Sequence, residues 1–220
     1  MIVKLTDDSG KSPFKPTWKG TGIESPQFGK VEKVTVFDDE GEPLYDQYRI
    51  WEGPRDSDGN YAATSGAVVL PYYKKGNITF IGILSRIRPI VIDPESQKCG
   101  HFVSLEIPRG FADLHEGSDS KATAARELGE ETGKHLKQIT FIGKCNPNTV
   151  MYVTPGIPIF AAEVDSGIAT HSAKDPTEVI LKCTFYPLEK VREMIRKGEI
   201  IDGFTLAALA CFESQINSLK

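Results

Sequence analysis

The chain has 220 residues, 40% of them hydrophobic and 25% charged, with a formal net charge of −4. These values suit one soluble domain with an added element, and they exclude a global basic field that would draw the chain onto nucleic acid or an anionic membrane. No run of about 18 apolar residues predicts a membrane span. Met1–Asp8 lacks the apolar core of a secretory leader, and Cys99, Cys145, Cys183 and Cys211 are scattered without zinc spacing, so a reduced, cytoplasmic protein is expected.

In chain order, residues 1–30 mix Gly, Pro, Ser and Lys with little periodicity and read as an irregular arm. Lys33–Phe37 and Pro43–Trp51 predict two strands around the turn Asp38-Asp39-Glu40-Gly41, an N-terminal hairpin. Glu52–Tyr61 is turn-rich and reads as a connector. Gly66–Tyr73 and Asn77–Leu84, joined by Lys74-Lys75-Gly76, predict a second hairpin. Phe102–Ile107 alternates as a strand does. Gly117–Gly133 is the clearest helix, with Ser118 or Asp119 as cap and Gly133 where a terminating glycine belongs. Further strands are expected at Ile139–Lys144, Ile157–Val164 and Val179–Tyr186, and helices at Pro187–Lys197 and Phe204–Leu219, the last with Leu206, Leu209, Ala210 and Ile216 on one face. Runs of strands with a few helices between them imply α+β or mixed α/β layers.

The chemistry is concentrated in Arg126-Glu127-Leu128-Gly129-Glu130-Glu131-Thr132-Gly133. On a helix Glu127 and Glu131 share a face, Glu130 lies on its flank, and Arg126 stands four residues from Glu130, within ion-pair reach. Leu128, with Ala125 and Thr132, is placed to face the core. A lone Glu-x-x-Glu-Glu is most often a solvated helix face, but three carboxylates within one turn repel by a few tenths of a kcal/mol per pair. Gly129 costs roughly 1 kcal/mol more against Ala. A sequence selected for stability alone would avoid both. Convergent hard oxygen ligands suit Mg²⁺ or Mn²⁺. On this spacing alone, neutralising Glu131 should leave stability equal or slightly higher.

This segment resembles the Nudix box, G-x5-E-x7-R-E-U-x-E-E-x-G-U with U apolar. Gly110, Glu116, Arg126, Glu127, Leu128, Glu130, Glu131 and Gly133 supply its fixed positions. Two departures stand out. Nine residues rather than seven separate Glu116 from Arg126, and Lys134 occupies an apolar position. The flanks are similar to the ADP-ribose pyrophosphatase branch: Leu105-Glu106-Ile107-Pro108-Arg109-Gly110 before the box, Arg86-Ile87-Arg88-Pro89 at a strand end, Asn146-Pro147-Asn148-Thr149 after it, and Gly198–Leu209 near the C-terminus.

The resemblance spans about residues 30–215 and implies a mixed sheet sandwiched between helices, with the N-terminal hairpin as an extra. It divides the chain into an arm and hairpin over residues 1–60, a dimerisation element, and a hydrolase domain over residues 61–220. It implies that Glu127 and Glu131 bind metal, that Glu130 binds metal or positions the ligands, and that Glu116 and the backbone carbonyl near Gly110 add ligands. Arg126 would buttress the carboxylates. Glu178 or Asp175, in the loop His171–Glu178, would orient or deprotonate the attacking water. Arg86 and Arg88 are candidates to grip phosphate. Tyr45 and Trp51, six apart on one strand, point to one face, where they either stack on adenine or pack.

The implied reaction is metal-dependent hydrolysis of ADP-ribose or a related ADP-sugar to AMP and a sugar phosphate. NAD(H), dinucleoside polyphosphates and nucleotide-capped RNA are alternative substrates, the acidic charge arguing against long RNA. A Nudix-fold sensor that binds a nucleotide without cutting it is the alternative of another class. A homodimer and a small nucleotide ligand are the expected partners.

Overall fold

The structure, a computed structural model, describes residues 17–19, 22–25, 29–37, 42–52, 66–93, 98–112, 119–148, 151–152, 154, 156–166 and 179–216. Most of the connector 52–61 lies outside these residues, as do Glu116, Ser118, Asp175 and Glu178.

The N-terminal part is a four-stranded antiparallel sheet, β1 (Thr17–Lys19), β2 (Gly22–Ser25), β3 (Gly29–Phe37) and β4 (Pro43–Glu52), in that spatial order. The predicted hairpin is its second half. The irregular arm is corrected in part: residues 17–19 and 22–25 pair as short strands, too short for a two-residue period to show in the sequence. Ile50 of β4 makes a parallel bridge to Tyr152, and its amide donates to the Met151 carbonyl at 2.7 Å, tying this sheet to the rest of the chain.

The second sheet is built on β5 (Gly66–Lys75) and β6 (Ile78–Asp93), which turn at Gly76-Asn77 with Gly76 at φ +59°. Its other members are β7 (Lys98–Glu106), β8 (Arg109–Phe111), β9 (Leu136–Cys145), β10 (Ile157–Val164) and β11 (Ile180–Pro187). The order is β11-β6-β5-β10-β9, with β7 on β6 and β8 on β5. The β5–β10 pair is parallel and the other pairs are antiparallel, so the sheet is mixed.

Alternation along β5 sorts the core into two layers. Val68, Leu70 and Tyr72 pack with Leu188, Val191 and Met194 of α2 (Leu188–Arg196) and with Ala208, Leu209 and Phe212 of α3 (Gly203–Gln215). Ala67 and Val69 pack on the other side with Ala124 and Leu128 of α1 (Ser120–Thr132). The sheet is therefore sandwiched between helices, as the sequence implies. Each large side chain fully buried here contributes about 1.5–3 kcal/mol.

α1 starts three residues later than Gly117. Asp119 caps it, its carboxylate accepting from the amides of Lys121 and Ala122 at 3.0 and 3.2 Å. Gly133 ends it at φ +64°, donating its amide to the Gly129 carbonyl at 3.0 Å. Ala124, rather than Ala125, joins Leu128 and Thr132 in the buried set. The expected face of α3 is also corrected. Thr205, Ala208, Leu209 and Phe212 are buried, whereas Leu206 and Ala210 are exposed. This helix is apolar almost all round, so periodicity alone does not choose its face.

One topological feature places the site. β5 and β6 stay paired only as far as Tyr72 and Ile81. Beyond that, β6 runs on with β7, while β5 takes β8 as its neighbour. The corner Ile107-Pro108 crosses between β7 and β8, and the Pro108 carbonyl accepts the Val69 amide at 3.0 Å. The carboxylate-bearing side of α1 packs over this split.

Candidate active site

Arg126 gathers two of the three helix carboxylates. Its Nη1 lies 2.9 Å from Glu127 Oε1 and 2.8 Å from Glu130 Oε2, and its Nη2 donates to the Phe111 carbonyl at 2.8 Å. The expected Arg126–Glu130 pair thus exists, and the same guanidinium anchors α1 to β8. Gly110 makes room for the cluster. A Cβ built on it would overlap the carboxyl carbon and both oxygens of Glu127, so the glycine lets a carboxylate lie against the backbone. The Gly110 carbonyl oxygen lies against Gly66 of β5, 2.5 Å from where a Cβ on that residue would stand.

Glu131 is held elsewhere. Its Oε1 accepts from Arg86 Nη2 and its Oε2 from the Arg109 amide at 3.2 Å. Glu131 is 2% exposed and Arg86 is 1% exposed. The three helix carboxylates thus stand as two plus one, Glu127 and Glu130 on Arg126 and Glu131 on Arg86. Among the described residues, no three His, Cys, Asp or Glu side chains gather on one point. Arg86, a candidate phosphate contact, is buried and pairs with Glu131.

Arg88, the other phosphate candidate, donates Nε and Nη2 to the two oxygens of Glu106 at 2.9 and 2.6 Å. Glu106 is also 3.4 Å from Arg109 Nη2 and 4.0 Å from Arg86 Nη1. Burial pushes its carboxyl up, but the Arg88 hydrogen bonds and the Arg109 charge outweigh this, with help from Ser104, and hold it below the ordinary carboxylate range. Arg109 Nη1 in turn pairs with Asp202 Oδ1 at 2.6 Å. Three arginines, 86, 88 and 109, and three carboxylates, Glu106, Glu131 and Asp202, thus form one charge-balanced network around the split.

The sequence singled out neither Glu106, Arg109, Asp202 nor Thr205 for a role. The available signals are a glutamate between Leu105 and Ile107 in an apolar strand, and an Asp-x-x-Thr cap before an apolar helix.

Lys134, at the position where the box pattern is apolar, is 8% exposed. Its stem is buried, and its ammonium lies 5.1 Å from the Phe185 ring centroid and donates to the Asp165 carbonyl at 3.2 Å. Burial lowers its pKa, and burial pushes the neighbouring Cys183 thiol up to about 12. The lysine satisfies an apolar position by covering it with methylenes. Gly129 faces open space, and nothing among the described residues requires a glycine there.

Tyr45 and Trp51 do share a face of β4, set by the register Val36–Tyr45 and Lys30–Trp51. Tyr45 is 56% exposed. The Trp51 indole donates to Glu32 Oε1 at 3.3 Å.

The donor set fits a small divalent cation. Glu127 and Glu130 offer two hard carboxylate donors, and Arg126 Nη1 stands between them within 2.9 Å of each. Mg²⁺ takes one or two carboxylates and completes its shell with water and phosphate oxygen, so a third convergent carboxylate is not required.

No family model and no curated protein matches the sequence. Solved structures do. The crystal structure of an ADP compounds hydrolase aligns over 94% of this chain and 97% of its own, with a TM-score of 0.59 at 17% identity. The Nudix domain of Shewanella oneidensis NrtR, in a cocrystal structure with ADP ribose, aligns over 73% of this chain and 93% of its own, with a TM-score of 0.50 at 13% identity. Likeness at such identities concerns architecture. With the mixed sheet between helices and the glutamate-bearing α1 over the β5–β6 split, the chain has the Nudix fold.

Proposed function

We propose that the chain is a Nudix hydrolase that cleaves the pyrophosphate bond of ADP-ribose or a related ADP-sugar with the help of Mg²⁺ or Mn²⁺. The observation that carries this reading is the Glu127–Arg126–Glu130 cluster packed on Gly110, in a fold shared with an ADP compounds hydrolase and with a domain crystallised with ADP ribose. Glu127 and Glu130 would hold the ion, with Glu131, Glu116 and the Gly110 carbonyl as further ligands carried over from the box pattern. When bound, the ion supplies charge neutralisation of the diphosphate and acidification of water. Arg126 fixes the two carboxylates in one orientation, so they lose little freedom on binding. Glu178, or failing it Asp175, accepts the proton of the water that attacks phosphorus as the bridging P–O bond breaks.

The test is a panel of ADP-ribose, ADP-glucose, NADH, diadenosine polyphosphates, capped RNA and nucleoside triphosphates with Mg²⁺, scored by product identity. AMP and ribose 5-phosphate from ADP-ribose are expected. No turnover on any member would sink the reading. One observation favours a second reading, a nucleotide-binding module without turnover: Glu131 is committed to Arg86. Saturable ADP-ribose binding by calorimetry, with no product, would select it.

We also infer a homodimer built on the N-terminal sheet. On one face of β4, Leu44 and Tyr48 are 58% and 46% exposed, large apolar side chains of the kind a subunit contact covers. Light scattering should give twice the chain mass, and a lower mass on Leu44→Asp. A wild-type monomer would overturn it. Among the described residues, no helix is long and apolar enough to cross a membrane.

A further inference from the structure

Asp202 and Thr205 do more than a helix cap requires. An N-cap needs one side-chain oxygen for the first free amides of its own helix, and Asp202 Oδ2 serves that purpose, accepting from the Thr205 amide at 2.9 Å and the Thr205 hydroxyl at 2.7 Å. The remaining groups point away from α3. Asp202 Oδ1 holds Arg109 Nη1 at 2.6 Å, and Thr205 Oγ1 accepts the Ile107 amide at 3.1 Å. Phe204 lies beneath the Arg109 guanidinium, whose Cζ is 4.8 Å from the ring centroid. On the opposite side the same short segment is fixed by Pro108 to Val69 and by the Arg109 amide to Glu131 at 3.2 Å. Thr205 is fully buried and the Asp202 side chain is 12% exposed. The start of α3 therefore clamps residues 107–109 from one side while α1 leans on them from the other.

We propose that Asp202 and Thr205 are positioning residues for the α1 carboxylates, acting through the corner Ile107–Arg109, which sets where Glu131 is held and where Gly110 meets Glu127. The proposal rests on the reading of those carboxylates as a cation site. Neither residue touches the ion or the substrate. Their effect is on how well the site is assembled before a cation arrives.

The test is Mn²⁺ titration of the full chain, followed by electron paramagnetic resonance, with thermal unfolding alongside. Asp202→Asn keeps a capping oxygen, since Asn caps as well as Asp, but loses the charge that holds Arg109. If Asp202 only caps α3, Asp202→Asn binds Mn²⁺ like the wild type and Asp202→Ala alone is impaired. If it positions the site, both variants weaken Mn²⁺ binding about 10-fold, the scale seen for supporting partners of metal ligands. Thr205→Val, which removes the acceptor of the Ile107 amide, should follow them, and Thr205→Ser should restore binding. Glu213→Gln, which removes the charge and one of the two 3.0 Å hydrogen bonds between Glu213 of α3 and Arg192 of α2, should weaken the helix packing and leave Mn²⁺ affinity unchanged.

In turnover of ADP-ribose, the Asp202→Asn deficit should shrink as Mn²⁺ is raised, a shift in apparent metal affinity rather than in kcat. Asp202→Asn with Mn²⁺ affinity within about twofold of wild type overturns the proposal. A wild type that binds Mn²⁺ yet leaves ADP-ribose intact sinks the hydrolase reading, while the affinity ratio of the variants still decides this one. A wild type that binds no Mn²⁺ overturns both.

Discussion

Glu131→Gln is expected to lower the stability of the chain by about 3–5 kcal/mol, the cost of removing one partner from a buried ion pair. Helical spacing taken alone gives the opposite sign, since Glu127, Glu130 and Glu131 are like charges whose repulsion is worth a few tenths of a kcal/mol per pair. Burial decides the outcome. Arg86 and Glu131 are 1% and 2% exposed, so a neutral glutamine leaves a guanidinium in the interior without its nearest counter-charge, an effect about ten times larger than the relieved repulsion. The hydrogen bond from the Arg109 amide survives, because a glutamine oxygen accepts it equally well, and the loss is chiefly one of charge. Urea denaturation measures it. Glu130→Gln is the reference: its side chain is 38% exposed and paired with Arg126 at 2.8 Å, and it should cost no more than about 1 kcal/mol. The double variant Arg86→Met/Glu131→Leu should recover much of the loss, since an apolar pair of similar volume replaces the ionic one. Glu131→Gln as stable as the wild type would show that Arg86 is satisfied without it.

The contrast between Glu131 and its neighbours marks where sequence reasoning stops. Asp119, Gly133 and the 126–131 spacing are local, and the caps and the Arg126–Glu130 pair could be read from them because a helix relates residues three and four apart by fixed geometry. The partner of Glu131 lies 45 residues away on β6. Nothing in Arg86-Ile87-Arg88-Pro89 distinguishes the arginine that turns inward from the one that reaches Glu106. Ile81–Arg86 is buried residue after residue, because the centre of the sheet is covered on both faces, and the alternation that would have assigned Arg86 to one side is absent. The role of Asp202 was hidden for a related reason. Its capping function is local, whereas its hold on Arg109 joins residues 93 positions apart. β1 and β2 give no periodic signal at three and four residues, and Lys134 reads as a fault in the pattern until its stem is seen against Phe185. Local chemistry thus delivered the helix carboxylates, and tertiary packing delivered the groups that hold them.

Gly110→Ala should be far more damaging to cation binding and turnover than to folding. An alanine Cβ at this position would occupy the space of the Glu127 carboxyl group, so either the strand or the side chain must yield. The strand cannot withdraw easily. Gly110 is paired with Ala67 of β5, and its own carbonyl oxygen lies 2.5 Å from the place of a Cβ on Gly66, so the ladder is already close-packed behind it. The Glu127 carboxylate is the end of a flexible side chain, and it should rotate away, abandoning its 2.9 Å contact with Arg126. Overpacking of this kind costs about 1–3 kcal/mol, which a domain of this size tolerates. Moving a ligand by an ångström or more costs on the order of 100-fold in rate, so turnover of ADP-ribose should fall by about that factor and Mn²⁺ affinity with it, while the urea midpoint moves only modestly. Glu127→Ala in the Gly110→Ala background provides the check. If the added methyl acts through Glu127, the clash disappears and part of the lost stability returns, but activity does not. A Gly110→Ala variant with wild-type Mn²⁺ affinity and turnover would mean that Glu127 serves from another orientation than the one seen here, and that its place beside the backbone belongs to packing rather than to the cation site.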